Sequence, residues 1–277
     1  PVLDVPSAVG EGAPALPAGV DASNLSGTPS AQLTLTAPSG GLQSASGKVT
    51  ILLALADAMA AKGRAVALLT DQPDQFEPFR PLPASWREVC VQPNRIAWQH
   101  ALQSESSTDA LLVVAPLNRE NASATMAFAC DRWVFAALDT LAAGLDSSYA
   151  LREMGVPYDA FADRVRCVWS QFLVEALCDD CAADAAISPE ELELLFHTGP
   201  PPGPVKTEVG CAACEGRGTK GRVAISDVTF VTDAARPVIK GALVHGLTIA
   251  LGADLHIAAR EQAEELAGRG IIGIKTF

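Results

Sequence analysis

Cys178-Asp179-Asp180-Cys181 and Cys211-Ala212-Ala213-Cys214 are two C-x-x-C turns separated by residues 182–210. A C-x-x-C turn presents two thiolates to one tetrahedral ion, and two such turns complete a four-cysteine zinc site. The competing readings of the same residues are a pair of disulfides or two redox motifs. Four coordinated thiolates leave no position open for a substrate. The expected site, Zn²⁺ on Cys178, Cys181, Cys211 and Cys214, therefore organises the fold and is not a reaction centre. The remaining cysteines, Cys90, Cys130 and Cys167, lie in apolar stretches and are expected to be buried free thiols. Seven cysteines with four committed to metal fit a reducing cytoplasm.

Upstream of these turns the chain reads as alternating α/β. A strand is predicted over residues 32–36, a small-residue loop over 38–47, a helix over 48–61 and a second strand over 65–69. A helix over 94–103, a buried strand over 110–115, a helix over 122–130 and a strand over 132–138 follow. Continuous apolar strands between helices imply a parallel sheet covered on both faces. Beyond residue 168 the texture changes. Residues 171–177 lead into the first cysteine turn, 189–195 form a short acidic helix, 198–204 a Pro/Gly loop, and 255–267 an amphipathic helix. Residues 1–30, rich in Pro, Gly, Ala and Ser, read as a linker or the remnant of a preceding domain. With Pro1 in place of an initiator Met, the chain is expected to be the C-terminal part of a longer protein. The expected organisation is thus 1–30, a core over 31–170, and a zinc-binding and helical region over 171–277.

A 277-residue chain that is 49% hydrophobic has ample material for a core. The formal charge of −12, with basic residues spread out, argues against non-specific binding to nucleic acid or an anionic membrane. No uncharged apolar run reaches the length of a membrane span.

Strand, small-residue loop, Gly47-Lys48, helix is the layout of a phosphate-binding loop, in which backbone N–H groups cradle phosphate oxygens and the Lys neutralises their charge. The match is damaged. Leu42 stands where the motif has its first Gly, and Val49 where a Ser or Thr would hold Mg²⁺. Thr50 is one residue further on, ~100° round the helix. The competing reading is a Gly/Ser loop followed by an exposed Lys.

Order and spacing resemble the C-terminal ATPase domain of the type II secretion and type IV pilus assembly ATPases (GspE/PilB-like). The clearest residues are Gln171-Phe172-Leu173-Val174 to Cys181, then Ser188-Pro189-Glu190-Glu191-Leu192, then Gly210 to Cys214. Gly216-Arg217-Gly218 and Gly221-Arg222 continue the pattern, and Asp227 stands where the family has a Glu. A competitor, the zinc domain of DnaJ-type chaperones, accounts for Cys211 to Gly218 alone, because Cys178–Cys181 lacks the glycine tail.

The resemblance implies a RecA-like P-loop NTPase core, with a C-terminal region carrying a four-cysteine zinc ribbon. It implies ATP and Mg²⁺ as ligands, relatives that form hexameric rings, and a cytoplasmic place in a secretion or pilus machine. Asp71-Gln72-Pro73-Asp74 matches the acidic box. Ala115-Pro116 stands where the family has Gly-Glu, whose carboxylate polarises the attacking water, and Asp139 replaces the His of a later strand. Gln171-Phe172 replaces a Gln-Arg pair. Three chemistry-bearing positions altered together point to a degenerate, non-hydrolysing member: a structural or regulatory subunit, a homo- or hetero-oligomer, with weak or no ATP binding. Alternatives are a slow true ATPase using Lys48, Thr50 and Asp71, and a zinc-ribbon module for nucleic acid, against which the charge counts. His100, His197, His245 and His256 make no metal spacing, with His197 solvent-exposed. Glu190, Glu191, Glu193, Glu261, Glu264 and Glu265 read as solvated helix faces. Trp86, Trp98, Trp133 and Trp169 read as core or interface anchors.

Overall fold

The runs Val66–Thr70, Leu111–Leu117 and Val134–Leu138 are buried at every position. That is the mark of parallel strands covered on both faces rather than strands with one wet side. The computed structural model describes residues 33–38, 47–130, 132–140, 144–197, 199–201, 203–245 and 256–276. The segment 1–30 and most of the small-residue loop before Gly47 lie outside them.

In chain order the elements are β1 (Leu33–Pro38), α1 (Lys48–Ala61), β2 (Val66–Thr70), β3 (Trp86–Cys90), α2 (Arg95–Glu105) and β4 (Leu111–Leu117). Next come α3 (Ala122–Phe128), β5 (Val134–Leu138), α4 (Ser147–Glu153), α5 (Tyr158–Arg164) and β6 (Cys167–Leu177). The chain then forms β7 (Ala183–Asp184), α6 (Pro189–Leu195), β8 (Lys206–Thr207), β9 (Thr219–Phe230), α7 (Arg236–His245), β10 (His256–Ile257) and α8 (Ala259–Gly268). The strands of the large sheet run in the order β10-β9-β6-β1-β5-β4-β2-β3. From β6 to β3 every register pairing is parallel.

Two compact units divide the described chain. One runs to Gln171 and resumes over Val228–His256; the other comprises Phe172–Asp227 and the residues from Ile257 on. In the first unit, α1 is apolar almost all round and buries Ile51, Leu52, Leu53, Leu55, Ala56 and Met59. α2 starts at Asn94, whose Oδ1 accepts the Ala97 N–H at 2.9 Å, satisfying a donor that a helix start leaves unpaired. Trp98, Trp169, Phe76, Phe135 and Phe161 are its largest fully buried side chains. In the second unit Phe196, Val205, Ile225, Ala267 and Ile272 form a smaller core. α6 opens on a capping box: Ser188 Oγ accepts the Glu191 N–H while the Glu191 carboxylate accepts the Ser188 N–H.

Several sequence expectations are corrected. Cys90 and Cys130 are exposed, and Cys167 alone of the three is buried. Cys90 ends the edge strand β3, and Cys130 follows the buried Ala129 after α3. Glu264 is 2% exposed because its carboxylate accepts Arg260 Nε–H at 3.2 Å and faces His197. The helix expected over 255–267 begins at Ala259, after the short strand β10. Trp98, Trp133 and Trp169 are buried, whereas Trp86 on the edge strand is half-buried.

Candidate functional site

In a parallel α/β sheet the polar groups able to meet a ligand gather at the carboxyl ends of the strands. Here those ends carry Asp71 after β2, Pro116 as the penultimate residue of β4, and Asp139 after β5, with Gly47 and Lys48 opening α1. Gly47 caps α1 in a left-handed conformation, φ 72°, without a side-chain cap. The register Thr36↔Ala137 places β5 beside β1, the strand that precedes α1 in the chain. The Lys48 ammonium forms an ion pair with the Asp139 carboxylate; Lys48 is 12% exposed and Asp139 58%. Burial pushes the Lys48 ammonium below its ordinary value, so a facing carboxylate is what favours its charged form.

Asp71 is engaged too. Its Oδ2 accepts the indole N–H of Trp98 at 3.3 Å and the Asn118 amide at 3.0 Å. Its Oδ1 is enclosed without a hydrogen-bond partner. Thr70 Oγ1 accepts the Gln72 N–H at 2.9 Å, and the Gln75 amide donates to the Ala115 carbonyl at 3.1 Å. Pro116 is buried, and its carbonyl accepts Asn121 Nδ2–H at 2.9 Å. Asn121 Oδ1 in turn accepts the Asn118 N–H at 2.8 Å. Thr50 lies half-buried on α1, two residues beyond Lys48. The sequence reading thus named Lys48, Asp71, Pro116 and Asp139, and the structure pairs Lys48 with Asp139. It missed Trp98 as a donor to Asp71, and it missed Gln75, Asn118 and Asn121. The legible signal was the Asn-x-x-Asn spacing directly after a buried strand, a pattern suited to local turn bonds.

In the other unit the four cysteines converge. Cys178 and Cys211 Sγ atoms are 3.9 Å apart, Cys181 and Cys214 3.8 Å, and Cys211 and Cys214 3.8 Å. All four ligand atoms lie within 4.8 Å of one another. Ligands ~2.3 Å from a tetrahedral centre stand ~3.8 Å apart, so the thiols are spaced for one zinc-sized ion. A disulfide needs ~2.05 Å, which none of these pairs approaches.

Backbone N–H groups of Cys211 and Gly218 donate to Cys214 Sγ at 3.2 and 3.1 Å. Led by the Cys211 N–H, these bonds hold the Cys214 thiol down at about 6. Burial pushes Cys178 up, and Cys181 up to about 12, so a full set of thiolates here calls for a cation. The glycines are required by the turn. Gly210, at φ 101°, would place a Cβ 2.6 Å from the Gly216 carbonyl, and Gly218, at φ 77°, one 2.6 Å from Glu208 Cβ. His197 is outside the cluster: its Nδ1 accepts from Arg260 at 2.8 Å.

The family model described as "Type II/IV secretion system protein" matches residues 119–276, more than half of the chain. The chain belongs to that family. A putative type II secretion system protein E of Escherichia coli K12 is 26% identical over 221 residues, 79% of this chain and 43% of the relative. A type II secretion system protein E of Aeromonas hydrophila is 30% identical over 92 residues, 33% of this chain and 18% of that protein. The chain therefore spans less than half the length of these type II secretion relatives. Among solved structures, the Legionella pneumophila ATPase DotB aligns over 90% of this chain and 60% of its own, with a TM-score of 0.55 and 14% identity. The pilus retraction motor PilT with bound ADP aligns over 89% and 60%, with a TM-score of 0.51 and 14% identity. At that identity the likeness is one of fold: this member of the secretion family shares the α/β fold with a parallel sheet. No helix among the described residues is long and apolar enough to cross a membrane.

Proposed function

We propose that this chain is a RecA-like P-loop ATPase domain of the secretion and pilus type that does not hydrolyse ATP. It serves its machine as a structural or regulatory subunit, in an oligomer on the cytoplasmic side of the membrane. Residues 31–170 supply the core and 171–277 the zinc-binding and helical region, with Zn²⁺ on Cys178, Cys181, Cys211 and Cys214. The sulfur spacing of ~3.8 Å supports zinc there.

The single observation that carries the loss of turnover is the end of β4. Attack by water on a phosphoryl group needs a base or a water-positioning group within hydrogen-bond reach. Pro116 brings none, and its carbonyl is taken by Asn121. The residues present do not fit a metal–nucleotide either: Val49 follows Lys48, and the Asp71 carboxylate receives Trp98 and Asn118. A phosphate-release assay on the purified chain, run beside Lys48→Ala, tests this. Release at background in both is expected; release above background that vanishes in Lys48→Ala would make the chain a slow ATPase.

A further inference from the structure

We propose that residues 270–275 are a clamp on the four-cysteine centre, with Glu208 as the positioning residue through which the clamp acts. The inference rests on the reading of the four cysteines as a zinc site. It goes beyond that reading in naming the side chains that hold the two turns at metal spacing before the ion arrives.

All the residues concerned belong to the second unit. The two cysteine turns meet at Gly218: its carbonyl accepts the Cys178 N–H at 3.0 Å, and its own N–H donates to Cys214 Sγ at 3.1 Å. Glu208 fills the space where a side chain would begin there, its Cβ 2.6 Å from the position of a Gly218 Cβ. A shift of Glu208 is therefore passed to the amide that steadies Cys214. Residues 270–275 hold Glu208 in turn. A Cβ at Gly273 would lie against Glu208 Oε1 and 2.7 Å from its Cδ, and a Cβ at Gly270 would lie 2.9 Å from Lys206 Cδ. Ile272 is buried with Val205 and Phe196, and the turn Ile274–Thr276 packs against β8. The same segment reaches the other cysteine turn, where the Ile271 carbonyl accepts the Leu177 N–H at 2.8 Å, directly before Cys178. On its far side that turn is tied by the β7–β8 ladder, Ala183↔Thr207 and Asp184↔Lys206. Both flanks of the first turn are thus held to the strand that leads into the second. Ligands already convergent leave less to be ordered when an ion binds. Lys275 Nζ stands 3.7 Å from Glu208 Oε2 but is 70% exposed, so the charge pair adds little. The fit of the Glu208 side chain over Gly273 is what sets the position.

The test uses the full chain, with zinc counted by elemental analysis and its affinity read by competition with a colorimetric chelator. Cobalt(II) loaded in place of zinc reports the thiolates through its sulfur-to-metal charge-transfer band. Glu208→Ala is expected to bind zinc ~tenfold more weakly, the effect usual for a partner one step behind a metal ligand. Its cobalt band should move to longer wavelength, because a slackened Gly218 N–H bond leaves Cys214 a stronger donor. Glu208→Gln keeps the shape and should restore both readings. Gly273→Ala should change both in the same direction as Glu208→Ala, and should add nothing further in the double variant, where no carboxylate remains to be displaced. It carries the test if Glu208→Ala melts early. Ser188→Ala, a cap deletion elsewhere in the same unit, should leave the band in place. Cobalt bands of Glu208→Ala and Gly273→Ala that coincide with the wild type's, or a Gly273→Ala loss that persists in full beside Glu208→Ala, overturn the inference. A wild type without zinc sinks the zinc reading and the clamp together, whereas one zinc per chain with unmoved bands sinks the clamp alone.

Discussion

In the cysteine cluster, four donors from two distant turns aim at one common point, and backbone N–H groups of Cys211 and Gly218 steady one of them. At the carboxyl ends of β2, β4 and β5 the polar groups aim at each other: Lys48 at Asp139, Trp98 and Asn118 at Asp71, Asn121 at Pro116. The first arrangement is spaced for an ion that the polypeptide itself does not supply. The second has turned inward, each polar group bonded to another group of the same chain. On the reading proposed above, a fold can keep the residues that hold its shape while those at its strand ends become ordinary internal bonds.

The largest test of this contrast is to remove the convergent donors. Cys181→Ser/Cys214→Ser is expected to take bound zinc from one per chain to none by elemental analysis. It should also forfeit metal-linked stability on the order of 10 kcal/mol, since structural zinc contributes that much to folding. A chelator that leaves the melting curve of the wild type unmoved would break the convergent half of the comparison.

Next in size is Trp98→Ala, which removes a fully buried indole and a donor to Asp71. A loss of about 3–5 kcal/mol in denaturant unfolding is expected, with zinc content unchanged. Asn121→Ala is smaller, about 1–3 kcal/mol, because it strands the Asn118 N–H and the Pro116 carbonyl in a buried setting. If either variant left stability untouched, the inward-turned groups would not be structural.

Smallest is Ser188→Ala, which deletes one half of the α6 capping box and is expected to cost about 1 kcal/mol. The Glu191 carboxyl is held below its ordinary value, chiefly by the Ser188 N–H. Its contribution is present above the unfolded carboxylate range and is lost as pH falls through the lower folded value. The stability lost in Glu191→Ala should therefore shrink on acidification, which melting curves at two pH values would read.

Much of this was legible in the sequence, for identifiable reasons. The bounds of α1 and α6 follow from local punctuation, Gly47 and Gly63 for one and Ser188-Pro189-Glu190-Glu191 for the other. The four cysteines follow from spacing alone. What escaped was long-range or mixed in pattern. β3, Trp-Arg-Glu-Val-Cys, carries charges because it is an edge strand, so it lacks the apolar run that marked its neighbours. Its Arg87 pairs with Glu105, a carboxylate only 1% exposed, whose charge suggests water although it shares the buried face of Trp98 and Leu102. Glu264 misled in the same way, since its burial depends on Arg260 and on His197 from a remote segment. The Lys48–Asp139 pair joins residues that are far apart in sequence and meet because α1 and β1 both lie against β5.

The exposure of Cys90 and Cys130 gives the protein a built-in tally of its own condition. With an ion on the four clustered cysteines, an alkylating reagent would meet two accessible thiols, Cys167 being enclosed. Stripping the ion releases four more, so the mass shift on alkylation steps from two adducts towards six. The two sulfhydryls that looked most ordinary in the sequence thereby become the baseline against which loss of the metal centre can be counted, molecule by molecule.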